Sequence, residues 1–310
     1  METCTERKRP YWIRTKLPVG NDYLAVKNIL RQTSLHTVCE EAKCPNLWEC
    51  FSQRTATFLL LGNICTRACK FCAVIKGTPA QLDMDEPHRV AMAVKQLGLK
   101  YTVVTSVTRD DLPDGGAGIY AKTIRLIREY NPECLVEVLI PDFGGSTQSL
   151  KIVIAERPNT LNHNLETVPR LYPLVRPNAI YKRSLEILKW AKEFFTTPQS
   201  PPCEGGDKGE VKSNYPIITK SGLMLGLGEE WDEVLETMLD LRCVDCDILT
   251  LGQYLRPKSE SLPINRYYHP EEFNQLKIEG ERMGFKHVES GPLVRSSYHA
   301  GKAEVKRLRS

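Results

Sequence analysis

Short apolar runs alternate with helical patterns along most of this chain. From about residue 57, six runs rich in Val, Ile, Leu and Thr are apolar on both faces, as strands of a covered parallel sheet are. The predicted strands are Thr57–Leu61, Tyr101–Val107, Leu135–Pro141, Thr160–Asn164, Gly222–Leu227 and Ile248–Tyr254. Strands that alternate with helices form β/α units joined by right-handed crossovers. The pattern therefore predicts an α/β protein whose sheet is a closed barrel, a partial barrel or an open doubly wound sheet.

Stripes of apolar residues at helical spacing lie between the predicted strands. The first contains Val90, Val94 and Leu97 and stops at Gly98, a typical C-terminal cap. The two other stripes consist of Ile187, Leu188, Ala191, Phe194 and Phe195, and of Trp231, Val234, Leu235, Met238 and Leu241. Residues 197–214 interrupt the pattern with Pro, Gly and charged residues, which predicts a surface loop or disordered insert.

The composition is that of an ordinary globular protein. Of the 310 residues 41% are hydrophobic, and 42 Lys and Arg against 38 Asp and Glu give a net charge of +4. This near balance argues against general nucleic-acid binding, and we interpret the basic C-terminal residues as a solvated tail. No apolar stretch approaches the roughly 18 residues that span a bilayer, and the N-terminal segment lacks a signal-peptide core. We therefore expect a cytoplasmic protein that binds neither membrane nor nucleic acid.

Three cysteines lie on one short loop at a spacing that indicates metal binding. Cys65, Cys69 and Cys72 follow the first predicted strand with the spacing C-x3-C-x2-C. Three thiolates on one short loop can hold three irons of a cubic iron–sulfur cluster, which leaves the fourth iron open to a small molecule. A structural metal site is normally closed by protein ligands. The loop therefore indicates chemistry at the carboxyl end of a strand.

The chain has eleven cysteines in all, and a reducing cytosol seldom pairs them as disulfides. A second group, Cys39, Cys44 and Cys50, has the spacing C-x4-C-x5-C and again lacks a fourth ligand. A second cluster completed by a distant residue, a zinc site with a remote His and unligated buried cysteines all remain open from this spacing. The neighbouring cysteine loop favours the cluster. Cys243 and Cys246 form an isolated C-x2-C pair that we interpret as packing residues.

Polar segments follow several predicted strands, at the sheet edge where ligands bind in parallel α/β proteins. Thr105–Gly116 follows the second strand, and Asn162–Glu166 follows the fourth. A lone His or Asn usually completes a hydrogen bond, but two polar segments on one edge favour a ligand site. Gly226 begins a G-x-G-x-x-G match that fails, because Trp231 replaces the third glycine. A glycine at position 226 is equally consistent with close approach of a ligand and with tight packing of the chain.

Taken together, these motifs resemble those of the lipoyl synthases, a family of radical S-adenosylmethionine (SAM) enzymes. C-x3-C-x2-C alone indicates only radical SAM chemistry, whereas the upstream C-x4-C-x5-C together with Arg-Ser-Ser-Tyr is far more specific. The segments that carry the likeness are 10–18, 39–50, 62–72, 105–116, 162–167, 219–229, 252–257 and 295–300. The resemblance implies a partial (β/α)6 TIM-type barrel with N- and C-terminal extensions that hold an auxiliary cluster.

The resemblance also implies a division of the chain. Residues 1–55 would form the N-terminal extension with the auxiliary-cluster cysteines, and residues 56–285 the radical SAM barrel. Residues 286–310 would form the C-terminal extension with the serine ligand. The insert at 197–214 is longer than the family pattern leads us to expect.

Site residues follow from the same resemblance. Cys65, Cys69 and Cys72 would hold the radical SAM [4Fe-4S] cluster, whose open iron chelates SAM. Cys39, Cys44, Cys50 and Ser297 would hold the auxiliary [4Fe-4S] cluster. Residues expected on the SAM or substrate rim are Thr105, Asp110, Asn162, Asn164, Glu166, Gly226 and Arg256. No side chain is expected to act as a catalytic acid or base, because the clusters carry the chemistry.

The implied activity is insertion of two sulfur atoms at C6 and C8 of an octanoyl chain on a lysine of a lipoyl-carrier domain. A 5′-deoxyadenosyl radical from SAM would remove the hydrogens, and the auxiliary cluster would donate the sulfur. Expected partners are the octanoylated carrier and a reductant such as ferredoxin or flavodoxin. Two alternatives are another radical SAM enzyme whose auxiliary cluster relays electrons, and a zinc-stabilised binding module.

Overall fold

An eight-stranded sheet forms the frame of the protein in the computed structural model, which describes residues 9–15, 22–196, 217–298 and 300. In chain order the strands are β1 (His36–Thr37), β2 (Thr57–Leu60), β3 (Ile64–Cys65), β4 (Ile75–Lys76), β5 (Tyr101–Ser106), β6 (Leu135–Leu139), β7 (Thr160–Asn162), β8 (Ile218–Leu225), β9 (Ile248–Gln253) and β10 (His287–Gly291). The main sheet has the order β1-β2-β5-β6-β7-β8-β9-β10, and β3 pairs separately with β4. Among the described strands of the main sheet, only β1 and β2 pair antiparallel.

Helices follow most of the parallel strands, as the alternating pattern predicts. They are α1 (Asp22–Gln32), α2 (Val38–Glu41), α3 (Leu47–Ser52), α4 (Glu86–Leu97), α5 (Ala117–Tyr130), α6 (Thr147–Ala155), α7 (Tyr172–Val175), α8 (Tyr181–Thr196), α9 (Trp231–Cys243) and α10 (Pro270–Arg282), with 3₁₀ turns at Phe143–Gly145 and Pro169–Leu171. The three predicted apolar stripes lie on α4, α8 and α9. Gly98 ends α4 with φ 63°, which confirms it as the left-handed cap.

The six strands predicted from sequence are all present, and the α/β fold class is confirmed. The fifth begins earlier than predicted, at Ile218. A seventh parallel strand, β10, was not predicted because it is an edge strand in which only Val288 is fully buried. Its polar neighbours hide the apolar pattern that identifies a covered strand.

The carboxyl ends of the parallel strands lie along one edge, where register joins Leu60 to Ser106 and Leu225 to Gln253. At the end of β2, Leu61 and Gly62 take positive φ values of 67° and 83° and turn the chain into the cysteine loop. The Glu86 carboxylate accepts hydrogen bonds from both backbone amides, at 2.7 and 3.5 Å. The fold thus holds the start of the cysteine loop at the edge formed by the carboxyl ends of the parallel strands.

Some sequence interpretations concern segments outside the described residues. These are the insert at 197–214 and the basic C-terminal tail. Within the described ranges, no helix is long and apolar enough to cross a membrane.

Candidate active site

A cavity of about 1330 Å³ lies at the carboxyl ends of the parallel strands. Typical small-molecule sites measure roughly 300–1,000 Å³, so this cavity has room for more than one bound group. Its wall includes cysteines from both groups and a serine from the far end of the chain: Cys39, Cys44, Cys65, Cys69, Cys72 and Ser297. The fold therefore brings together the two motifs that sequence spacing left separate.

The downstream loop places three thiols close together. The Cys65 sulfur accepts backbone hydrogen bonds from Arg67 and Thr108, each at 3.4 Å. Burial, with smaller contributions from the neighbouring Cys69 and Cys65, raises the pKa of Cys72 to about 11, although a hydrogen bond from the backbone of Val74 opposes the rise. Burial likewise raises the pKa of Cys69. The thiols of Cys69 and Cys72 are therefore protonated until metal displaces the protons.

Arg67 ties this loop to the ends of β5 and β6. Its side chain is only 7% exposed, and its guanidinium donates to Asp110 at 2.8 and 2.7 Å and to Asp142 at 2.6 Å. The Thr66 hydroxyl adds a bond to the Thr108 carbonyl at 3.0 Å. A forked guanidinium that bonds two carboxylates fixes orientation as well as position.

The upstream cysteines also converge, although they lie on different elements. Cys39 lies in α2, Cys50 lies in α3, and Cys44 lies between them. Burial, and then the neighbouring thiols, raise the pKa of Cys39 and raise that of Cys50 to about 12. Burial raises the pKa of Cys44, which the nearby Arg295 cation partly offsets. The three side chains therefore lie within electrostatic range of one another.

The C-terminal segment Leu293–Tyr298 packs onto the upstream cysteine loop. The Asn46 side chain donates to the Leu293 carbonyl at 2.6 Å, and the Tyr298 hydroxyl donates to Glu49 at 3.3 Å. These contacts place Ser297 in the wall that contains Cys39 and Cys44.

The downstream group lines this partly enclosed space with three thiols, and the upstream group lines it with those of Cys39 and Cys44. Among the described residues, no set of three His, Cys, Asp or Glu side chains is arranged to hold a single metal ion. A cubic cluster needs no such convergence, because each thiolate binds a different iron. Thiols from both groups and a serine hydroxyl in the same wall are donors chemically compatible with iron–sulfur clusters.

Four of the residues expected on the SAM or substrate rim line the cavity. They are Thr105, Asn164, Glu166 and Arg256. Thr105 donates to the Leu139 carbonyl at 2.9 Å, and Arg256 donates to the Ser261 carbonyl at 3.0 Å. Burial raises the pKa of Glu166, while Arg176 and a hydrogen bond from Asn164 oppose that rise.

The three other expected rim residues have different surroundings. Asp110 pairs with Arg67 instead of lining the cavity. Asn162 is buried and donates to Glu137 at 3.1 Å. A Cβ on Gly226 would lie 2.2 Å from the Gln253 amide nitrogen, so close packing accounts for this glycine.

Sequence reasoning predicted Arg256 but missed the other cations of the cavity wall. Arg176 is 9% exposed, and its Nη1 donates to the carbonyls of Asn164 and Leu165 at 2.8 and 3.1 Å. Arg295 lies close enough to Cys44 and Glu166 to affect their pKa values. Arg67 was recognisable from its position inside the cysteine motif, whereas nothing in the local sequence marks Arg176.

Comparison with solved structures agrees with this fold. Methylornithine synthase aligns with a TM-score of 0.51 at 13% identity, covering 88% of this chain and 75% of that chain. HydG, a maturase of the [FeFe]-hydrogenase, aligns with a TM-score of 0.53 at 16% identity, covering 74% and 50%. At such identities the likeness shows the fold alone.

Sequence comparison is far more specific. Residues 59–204 match the model of the radical SAM superfamily, and residues 2–44 match the N-terminal domain of lipoyl synthase of that family. Lipoyl synthase of Rubrobacter xylanophilus is 56% identical over 292 residues, covering 94% of this chain and 85% of that protein. Lipoyl synthase of Koribacter versatilis is 53% identical, covering 94% and 90%.

The parallel sheet, the cavity at its carboxyl edge and the C-x3-C-x2-C loop define a radical SAM enzyme. The upstream cysteines and the close relatives then narrow the class. The chain belongs to the lipoyl synthase family. It is a sulfur-inserting enzyme whose cofactors are SAM and [4Fe-4S] clusters, including an auxiliary cluster.

Proposed function

We propose that this enzyme inserts sulfur at C6 and C8 of an octanoyl chain on a lysine of a lipoyl-carrier domain. In this proposal Cys65, Cys69 and Cys72 hold the radical SAM cluster, and Cys39, Cys44, Cys50 and Ser297 hold the auxiliary cluster. The observation that supports it most strongly is the shared cavity, whose wall contains cysteines of both groups and Ser297. When bound, the clusters and SAM supply the electron, the radical and the sulfide.

The cavity wall provides a suitable environment for an acyl chain between two clusters. Its apolar residues include Leu59, Val107, Leu139, Ile140 and Met224. A saturated chain gains free energy by leaving water for such a surface. These side chains would orient C6 and C8 and exclude water from a reactive intermediate.

Charge in the cavity wall favours anionic clusters. Seven described cations line it, against the single carboxylate of Glu166: Arg9, Lys43, Arg67, Lys76, Arg176, Arg256 and Arg295. Three thiolates outweigh the positive charge of a cubic iron–sulfur core, so each bound cluster is negative overall. Nearby positive charge stabilises an anion in a partly enclosed site.

A serine at the auxiliary cluster supports a role as sulfur donor. An alkoxide is a poorer match for iron than a thiolate, so the iron at Ser297 should leave more readily than the others. A cluster that gives up sulfide during turnover benefits from one weakly held corner.

The domain division is part of the proposal: an N-terminal extension at 1–55, a barrel at 56–285 and a C-terminal extension at 286–310. The last boundary falls at the start of β10, which still belongs to the main sheet. We also propose a cytoplasmic location and a low-potential reductant such as ferredoxin or flavodoxin. Free thiols support the cytoplasmic location. The one-electron cleavage of SAM supports the low-potential reductant.

Alanine replacement of each cysteine group tests these assignments. Replacing Cys39, Cys44 and Cys50 should leave SAM cleavage to 5′-deoxyadenosine intact and abolish the sulfur-containing product. Replacing Cys65, Cys69 and Cys72 should abolish both.

The matched control is Cys243→Ala, because this cysteine is exposed at the end of α9. It should retain both activities and about eight irons per chain. Product formation by the first variant would contradict the assignment of Cys39, Cys44 and Cys50.

A further inference from the structure

A hydrogen-bonded bridge crosses the cavity wall between the two cysteine groups. The Asn164 amide nitrogen donates to Glu166 at 3.0 Å and to the hydroxyl of Ser296 at 2.6 Å. A primary amide has two N–H donors, so this side chain joins both groups at once. Glu166 also lies near Cys69 and Cys72, whose pKa values its charge raises.

The Asn164 end of this bridge is rigid. Glu166 has a positive φ of 69°, an uncommon conformation for a residue with a side chain. Backbone hydrogen bonds of 2.9 Å to Gly222 and from Met224 hold it there. The backbone carbonyl of Asn164 accepts a further bond from Arg176 at 2.8 Å. Asn164 is therefore a fixed point on the barrel.

The Ser296 end is part of the segment that carries Ser297. Asn46 holds one end of that segment through the Leu293 carbonyl, and Glu49 contacts its other end through Tyr298. Between these attachments, the Asn164 side chain donates a hydrogen bond directly to the Ser296 hydroxyl. Because Ser296 and Ser297 are consecutive, fixing one side chain restricts the backbone that presents the other.

We propose that Ser296 is a positioning residue that uses its hydrogen bond to Asn164 to hold the Ser297 hydroxyl at the auxiliary cluster. This inference rests on the proposed assignment of Ser297 as an iron ligand. Its consequence is that loss of the Ser296 hydroxyl frees the serine-bound iron, although Ser296 itself binds no iron.

Iron release from the anaerobic holoenzyme to a ferrous-iron chelator tests the proposal. Ser296→Ala should release one iron per chain about tenfold faster than the parent, as expected for a lost hydrogen bond. Ser296→Thr retains a hydroxyl and should restore slow release.

The matched control is Ser290→Ala, which removes a serine hydroxyl that bonds to Phe273 at 2.7 Å away from the cavity. It should release iron at the parental rate. A second variant, Asn164→Ala, removes the same bond from the other side. Combined with Ser296→Ala it should add little to the release rate, because both changes remove the same hydrogen bond between Asn164 and Ser296.

Ser297→Ala separates failure of this inference from failure of the assignment on which it rests. If Ser297→Ala releases iron rapidly but Ser296→Ala behaves like the parent, the positioning role is wrong and the serine ligand stands. If both variants match the parent, the ligand assignment is wrong and the positioning role falls with it. Release from Ser290→Ala as fast as from Ser296→Ala would also contradict the positioning role.

Discussion

His163 follows β7 beside the cavity, yet its ring is 1% exposed and fully engaged. Nδ1 lies 2.8 Å from the Ile140 carbonyl, and Nε2 lies 3.0 Å from the Ser184 hydroxyl. Burial and the nearby Arg176 cation lower the pKa of His163 to about 4. The imidazole is therefore neutral at pH 7 and serves as a hydrogen-bonding residue, as expected for a lone histidine at this edge.

This pKa predicts that acid destabilises the fold. In the unfolded chain His163 titrates near 6.5, so below that pH the unfolded chain binds a proton that the native state does not bind. The free energy of unfolding should fall by about 1.4 kcal/mol between pH 7.5 and 5.5 through this residue alone. Denaturant unfolding at several pH values measures it. His163→Asn should flatten the slope, whereas exposed His88→Asn should not; equal slopes in parent and His163→Asn would refute the prediction.

A second prediction concerns Arg67. Asp142 is 0% exposed, and Arg67→Ala would leave it with a backbone hydrogen bond from Gly144 at 3.1 Å and a weaker cationic contact from Arg183 at 3.4 Å. Removing one partner of a buried ion pair costs about 3–5 kcal/mol. We expect that loss in denaturant unfolding, together with loss of 5′-deoxyadenosine formation. The control Arg282→Ala breaks an exposed pair with Glu279 and should cost less than about 1 kcal/mol.

Among individual residues, the sequence identified the cysteine ligands but few of the side chains that surround them. Spacing alone groups Cys65 with Cys69 and Cys72, because ligands on one loop stay together in any fold. Arg176 and Arg295 reach the cavity only through tertiary folding, so no local pattern could place them. Ser297 was assigned by family resemblance, since nothing in its spacing links it to Cys39.

Between elements, β9 and the C-terminal segment approach each other closely near the site. A Cβ on Gly252 would lie 2.1 Å from the Val294 carbonyl oxygen. A Cβ on Gly291 in the neighbouring strand β10 would lie 3.4 Å from the Val294 side chain, which is a tolerable contact. Glycine at 252 therefore lets the serine-bearing segment lie directly against the sheet.

Gly252→Ala should displace that segment and weaken the auxiliary cluster. We expect a loss of about 1–3 kcal/mol in the free energy of unfolding and faster release of iron to a chelator, with SAM cleavage retained. Gly291→Ala is the matched control and should change neither quantity by much. Slow iron release from Gly252→Ala would show that this contact does not position the serine.

The sequence predicted strands well where both faces are covered and poorly elsewhere. The apolar runs at β2, β5 and β9 match observed strands to within a residue. The edge strand β10 and short helices such as α2 and α7 were missed, because they are too short or too polar to show a period. Their positions depend on what packs against them.

Across the whole molecule, two cysteine groups separated along the chain share one cavity at the carboxyl edge of a parallel sheet. Periodicity could not distinguish a closed barrel, a partial barrel and an open sheet, because sheet curvature depends on pairing between distant strands. The convergence of both cysteine groups with Ser297 in one wall has the same nonlocal origin. It is also the arrangement that a sulfur-donating cluster requires.

The central claim is that the auxiliary cluster is consumed as the sulfur source. Its most direct test is anaerobic turnover with an octanoylated carrier peptide, using enzyme whose clusters contain isotopically labelled sulfide and a solution free of other sulfide. The account predicts about two labelled sulfur atoms per product and loss of the cluster at Cys39, Cys44 and Cys50, while that at Cys65, Cys69 and Cys72 survives. Unlabelled product formed with both clusters intact would contradict it.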